Sequence, residues 1–129
     1  MGGLNTVQLY RLEHACSVVA TAFGSPPYLV GSAASEAQWR DVDVRSILPD
    51  AEWDALFAGR EAFWSLVCLA VSVYLSEVTG LPVDFQIQRQ TEANTLHPHK
   101  FRNPMGHGYR WFAGGGDATP TSRRKEEEE

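Results

Sequence analysis

Three aspartates in two short alternating segments are the residues whose types and spacing best suit chemistry. Asp41 and Asp43 stand two residues apart in DVDV, and Asp84 stands within PVDFQI. Because side chains alternate faces along a strand, Asp41 and Asp43 are expected to project from one face. If the strand of Asp84 pairs beside theirs, three carboxylates converge, and their repulsion calls for a cation. The pattern therefore predicts a divalent metal site with these three ligands.

A Gly-Ser pair precedes the first two aspartates and suits phosphate binding. Gly31 and Ser32 follow the apolar run YLV. Glycine lets a phosphate approach the backbone closely, and the serine hydroxyl and amide donate hydrogen bonds to phosphate oxygens. Mg²⁺ binds one or two carboxylates and completes its coordination with waters and substrate phosphates. We therefore expect Mg²⁺ as the cofactor, with Mn²⁺ as the alternative, and a substrate that carries phosphates.

Four basic side chains are further candidates for binding the phosphates, namely Arg40, Arg45, Lys100 and Arg102. The last two lie in a basic segment, because residues 89–116 carry four basic side chains and one acidic one. This segment follows the last predicted strand, where it can meet an anion. Solvated loop charges are the alternative explanation, and the sequence leaves both open.

Three helices are predicted from apolar periodicity and from their end signals. The first spans residues 5–23, and Asn5 or Thr6 can cap its start. Residues 50–59 predict a short helix that starts with an aspartate. Residues 60–80 predict a long helix with apolar side chains nearly all round, so we expect it to be buried. Its apolar run, residues 63–75, is too short to span a bilayer.

Three strands are predicted, over residues 28–31, 41–48 and 81–88. Pro82 restricts the start of the third strand to a sheet edge or to the first-residue position. In the second strand, Val42, Val44 and Ile47 are expected on the face opposite the aspartates. The first two strands are close enough for a hairpin, and the third returns after a helical connection. This order predicts an α+β fold, a small mixed sheet packed against helices.

The 129-residue chain is predicted to hold one domain with an extension. Residues 1–95 are predicted to form the core, residues 96–116 a basic and aromatic segment, and residues 117–129 a disordered tail.

Cys16 and Cys68 lie in apolar helical stretches, which predicts buried free thiols in a reducing compartment. The N-terminus has no signal-peptide pattern. We therefore expect a cytoplasmic protein without a membrane partner.

Three segments together resemble the signatures of the DNA polymerase beta-like nucleotidyltransferase superfamily. They are LVGS (29–32), RDVDV (40–44) and PVDFQI (82–87), in the family's order and on the family's elements. The resemblance covers roughly residues 5–90. It implies a nucleotidyltransferase fold in which the acids matching Asp41, Asp43 and Asp84 bind two divalent metals.

The resemblance also implies an enzyme that transfers a nucleoside monophosphate from an NTP to a hydroxyl acceptor and releases pyrophosphate. The acid matching Asp84 would activate the attacking hydroxyl, and the Gly-Ser pair would contact the triphosphate. The acceptor, whether protein, nucleic acid or small molecule, stays open. Many members carry a helical domain for which this chain has little room. The chain thus resembles the small bacterial and phage-type members, as a minimal form or with a partner protein that completes it.

Other functions stay open on the sequence. A non-catalytic, antitoxin-like protein would use the same pocket to bind nucleotide or its surface to dock a partner, since small family members often work beside a helical toxin. A nucleic-acid-binding module would use residues 89–112, which the net charge of −5 disfavours. His97 and His99 have a spacing that fits a zinc ion, but no cysteine or acid cluster accompanies them.

Overall fold

The computed structural model describes residues 3–36, 38–96 and 102–106. In chain order its elements are α1 (Thr6–Phe23), β1 (Tyr28–Val30), α2 (Ser32–Ser35), β2 (Val42–Leu48), α3 (Asp50–Phe57), α4 (Glu61–Thr79), β3 (Val83–Arg89), α5 (Gln90–Leu96) and β4 (Asn103–Pro104). The predicted cap of α1 is confirmed. The Asn5 side chain accepts from the Gln8 amide while the Gln8 side chain accepts from the Asn5 amide, so two amides that lack helical partners are satisfied.

The four strands form one mixed sheet in the order β3-β2-β1-β4. β1 runs antiparallel to both β2 and β4, and β2 runs parallel to β3. The hairpin of the first two strands and the return of the third are therefore confirmed, and so is the α+β class with a small mixed sheet. β3 is an edge strand, one of the two positions that Pro82 allowed. The sheet brings the end of β1 beside the starts of β2 and β3.

The residues of β2 alternate strictly between the core and the opposite face of the sheet. Val42, Val44, Ser46 and Leu48 are buried, and the residues between them are half-buried. The prediction that Ile47 lies with the valines is wrong, because an odd number of positions separates it from them. Ile47 shares the face of Asp43, and Ser46 points into the core instead. Among the described residues, the Ser46 hydroxyl is a buried group without a hydrogen-bond partner.

The long helix α4 runs along the outer edge of β3 and satisfies the backbone of that strand. Ser72 Oγ accepts from the Phe85 amide at 2.9 Å and donates to the Phe85 carbonyl at 3.3 Å. Ser76 makes the same pair of bonds with Val83, and Cys68 Sγ accepts from the Ile87 amide. Four helical residues rise about 6 Å and two strand residues about 6.6 Å, so the two spacings match. The helix thereby blocks an edge that is otherwise open to pairing.

Ser72→Ala is expected to destabilise the fold by about 1–3 kcal/mol, because it leaves the amide and carbonyl of buried Phe85 without a partner. The free energy of unfolding in urea measures this. Ser65→Ala is the matched control, since Ser65 is exposed on the same helix and alanine favours helices. Equal stabilities of the two variants would contradict the proposed role of the Ser72 hydroxyl.

One face of α4 is exposed, so the prediction of a buried helix is wrong. Leu66, Leu69 and Val73 keep 62%, 63% and 53% of their surface exposed. The cause is the position of α4, which lies beside the edge of β3 and against α1 rather than between two layers. The helix is 19 residues long with a mean hydropathy of 1.6, enough to cross a membrane by length and composition, and 17% of that stretch is buried. The length of α4 is therefore compatible with a membrane span, although the apolar run of residues 63–75 alone predicted that it is too short.

Both cysteines are buried free thiols, as predicted. Burial, with a smaller contribution from the charge of Glu13, raises the pKa of the Cys16 thiol to about 12. Burial also raises the pKa of Cys68. At pH 8 a thiol with a pKa near 12 is only about 0.01% thiolate, and the thiolate is the reactive form. We expect iodoacetamide to label Cys16 in the native protein at least about 100-fold more slowly than in urea, by mass spectrometry. Comparable rates would contradict this burial.

Two short elements were not predicted, because neither has a periodic apolar pattern. They are α5, which is mostly polar, and the two-residue β4. Several predictions fall outside the described residues. They are those for His97, His99 and Lys100, for most of residues 96–116, and for the tail of residues 117–129.

Candidate functional site

The turn after β1 places Gly31 directly against the carboxylate of Asp43. Gly31 has φ +73° and ψ −162°, a backbone conformation that is nearly restricted to glycine. A Cβ atom added at Gly31 would lie 2.5 Å from Asp43 Oδ2. The backbone conformation therefore favours glycine here, and any larger residue would also push the Asp43 carboxylate aside.

Asp43 and Asp84 are direct neighbours across the parallel pair of β2 and β3. Both lie near the starts of their strands, and the antiparallel pairing of Val30 with Asp43 brings the end of β1 beside them. The Asp43 side chain is 30% exposed and that of Asp84 is 51% exposed. Asp41 lies one residue before β2 and is exposed. The structure thus brings the predicted acids to one end of the sheet.

The guanidinium of Arg45 lies between the two neighbouring carboxylates. Its Nη2 is 3.4 Å from Asp84 Oδ2 and 3.7 Å from Asp43 Oδ1. Its Nη1 donates to the backbone carbonyls of Asp84 at 2.7 Å and of Val44 at 3.1 Å. The side chain is only 15% exposed. Arg45 was predicted as a phosphate ligand, but its guanidinium contacts aspartates and backbone oxygens of the strands.

The pKa of the Asp43 carboxyl is raised above its ordinary value. Burial is the largest cause, the charge of Arg45 opposes it, and the charges of Asp84 and Asp41 add to it. The charges of Arg45 and of the two acids thus act on the Asp43 carboxyl in opposite directions, and burial keeps the net shift of its pKa upward. Binding of a further cation to such a site is therefore favourable.

A cleft of about 420 Å³ opens beside these acids. Its volume is within the range of small-molecule sites. The side chains that line it are Ser32, Glu36, Gln38, Trp39, Arg40, Asp41 and Asp43. Ser32 and Arg40, both predicted to bind phosphate, therefore share a cleft with two of the three acids. Glu36, Gln38 and Trp39 were not predicted, because no motif or spacing distinguishes them from an ordinary turn.

Arg102 is not on the strands of the acids. It lies just before β4, which β1 and β2 separate from β3, and its guanidinium donates to the Ala93 carbonyl of α5 at 3.3 Å. Lys100 lies outside the described residues. The predicted contribution of these two side chains to phosphate binding stays a prediction.

The donor set fits Mg²⁺ in chemistry but not as a complete cage. Carboxylate oxygens are hard ligands, and Mg²⁺ commonly takes one or two of them and fills its shell with waters and substrate phosphates. Among the described residues, no three histidine, cysteine, aspartate or glutamate side chains stand close enough to hold a metal alone. Asp41 and Asp43 on one cleft wall suit an ion that arrives with phosphates.

Comparison with known proteins gives no match to this chain, whether the comparison is with protein-family models, with curated proteins or with solved structures.

Proposed function

We propose that this chain is a metal-dependent nucleotidyltransferase with the DNA polymerase beta-like fold. It would transfer a nucleoside monophosphate from an NTP to a hydroxyl acceptor and release pyrophosphate. The single observation that carries the proposal is the register of Asp43 opposite Asp84, with Gly31 packed against the Asp43 carboxylate. The resemblance of LVGS, RDVDV and PVDFQI implies that these residues lie close together in space, although 40 residues lie between Asp43 and Asp84 along the chain.

In the proposed reaction, the acceptor oxygen attacks the α-phosphorus of the NTP. The bond from that phosphorus to the bridging oxygen breaks, pyrophosphate leaves, and the Asp84 carboxylate takes the hydroxyl proton. A bound Mg²⁺ supplies positive charge to the phosphate oxygens. Asp41 and Asp43 would hold that ion, while Ser32 and Arg40 would bind the phosphates from the walls of the cleft. Catalysis of this kind comes mainly from positioning and electrostatics.

Calorimetry tests the proposal. ATP, CTP, GTP and UTP are each titrated into the protein with Mg²⁺ and with EDTA. We expect binding of at least one nucleotide that depends on Mg²⁺. Incubation with labelled NTPs and cell lysate then shows whether an acceptor is labelled. No metal-dependent binding of any nucleotide would overturn the proposal.

A non-catalytic nucleotide-binding protein is the second candidate, and the position of Arg45 favours it. The guanidinium between Asp43 and Asp84 supplies one positive charge to those two carboxylates without any catalytic ion. This candidate expects nucleotide binding in the same cleft without labelling of an acceptor and without release of pyrophosphate. Pyrophosphate release that Asp43→Asn removes would exclude it.

A further inference from the structure

The guanidinium of Arg45 is held by oxygens on two strands. Two of its contacts are to backbone carbonyls, those of Val44 and Asp84, which ligand binding leaves in place. The other two are to the carboxylates of Asp43 and Asp84. Arginine stays ionised at any working pH, so this positive charge is permanent. Arg45 is thus a fixed cation inside the group of acids.

A metal that bridges Asp43 Oδ1 and Asp84 Oδ2 would need the position that Arg45 Nη2 takes between them. Mg²⁺ binds oxygen at about 2.0–2.1 Å, so a bridging ion lies close to both carboxylates. Arg45 Nη2 already lies 3.4 Å from one of them and 3.7 Å from the other. A bridging ion would have to displace this nitrogen while Nη1 stays bonded to two carbonyls.

The other side of the acid group is open to solvent. The cleft is lined by Asp41 and Asp43, whereas Asp84 is not part of its wall. Asp41, Asp43, Asp84 and Arg45 together carry a formal charge of −2. One divalent ion on the Asp41 and Asp43 side neutralises that charge, and a second would exceed it.

We propose that Arg45 takes the place of one of the two cations, so that this site binds a single divalent ion through Asp41 and Asp43. Arg45 then acts as a positioning residue that holds the Asp84 carboxylate. The inference rests on the proposed metal site and adds to it the number of ions and the residue that sets this number.

Mn²⁺ binding to the full chain, without nucleotide, tests this inference. Free Mn²⁺ is measured by electron paramagnetic resonance as the metal is titrated. We expect one ion per wild-type chain. Arg45→Leu is expected to bind two ions, or one ion about tenfold more tightly, because a nearby positive charge has been removed. Two ions in the wild type would overturn the inference, and so would unchanged number and affinity in Arg45→Leu.

Two further variants keep this test decisive. Arg45→Lys retains a positive charge and is expected to stay at one ion, which covers the case in which Arg45→Leu does not fold. Arg89→Leu removes an arginine paired with Asp50 and Asp54 and is expected to bind Mn²⁺ like the wild type. If neither the wild type nor any variant binds Mn²⁺, the inference fails, whereas the proposed function is decided separately by Mg²⁺-dependent binding of NTP. If the wild type binds two ions, the inference alone fails.

Discussion

Asp43→Asn is expected to lower metal-dependent NTP binding and nucleotidyl transfer by about 100-fold or more, the scale of removing one electrostatic group from a reaction centre. The amide keeps the shape of the side chain against Gly31 but loses the charge that holds a divalent ion. Calorimetry with each NTP and Mg²⁺, together with pyrophosphate release, measures the effect. The expected loss is large because Asp43 borders the cleft, lies opposite Asp84 in the sheet and packs against Gly31.

The same substitution is expected to leave the fold equally stable or more stable at pH 7. The folded-state pKa of Asp43 lies above its ordinary value of 3.8, so the folded state holds this proton more tightly than the unfolded chain. The protonated Asp43 carboxyl therefore contributes to the free energy of unfolding. This contribution is fully present below pH 3.8 and is lost as pH rises through the raised pKa. In EDTA, the advantage of Asp43→Asn in melting temperature should shrink as pH falls toward 3.8.

Glu52→Gln is the control for the loss of a negative charge, because Glu52 is exposed on α3 and does not line the cleft. It is expected to bind nucleotide like the wild type. If Asp43→Asn binds NTP and Mg²⁺ as the wild type does, the candidate site is wrong. If both variants lose binding equally, the effect is one of overall charge and not of the site.

Gly31→Ala is expected to remove most of the metal-dependent NTP binding and to destabilise the fold. Alanine is strained at φ +73° and ψ −162°, which costs about 1–3 kcal/mol. Its Cβ would also lie 2.5 Å from Asp43 Oδ2, so the carboxylate has to move. Denaturation in urea measures the first effect, and calorimetry with NTP and Mg²⁺ measures the second.

Gly80→Ala separates these two effects. Gly80 also has a positive φ, +74°, but a Cβ added there meets nothing within 4 Å. We expect Gly80→Ala to lose stability and to keep nucleotide binding at temperatures where it is folded. Nucleotide binding by Gly31→Ala at the wild-type level would show that the close packing of glycine and carboxylate is not needed for the site.

The local patterns of the sequence were sufficient for the helices α1, α3 and α4 and for the strands β1, β2 and β3. Alternation in DVDVRSIL predicted a strand with Asp43 and Arg45 on one face, and the structure has it. Gly24 and Gly80 end α1 and α4 in the left-handed conformation that glycine adopts most easily. These features depend on neighbours within a few residues, which a single sequence displays directly. The nucleotidyltransferase function stays a prediction of the sequence motifs.

The faces and contacts of α4 needed the tertiary structure. Its composition predicts burial on all sides, yet Leu66 and Leu69 are largely exposed while Ser72 and Ser76 bond to β3. A hydropathy pattern reports what a helix prefers, not which neighbours the topology supplies. The expected partner protein stays a prediction, and this exposed helical face is where its contact would be sought.

The sequence by itself determined where the acids, the Gly-Ser turn and the strands lie along the chain, because side-chain alternation and turn chemistry are local. Only the tertiary structure decided that β3 pairs in parallel with β2 in the register that sets Asp84 beside Asp43. That pairing joins residues 41 positions apart through α3 and α4, and no local pattern specifies it. The tertiary structure also decided that the Arg45 guanidinium contacts those two carboxylates and does not line the cleft.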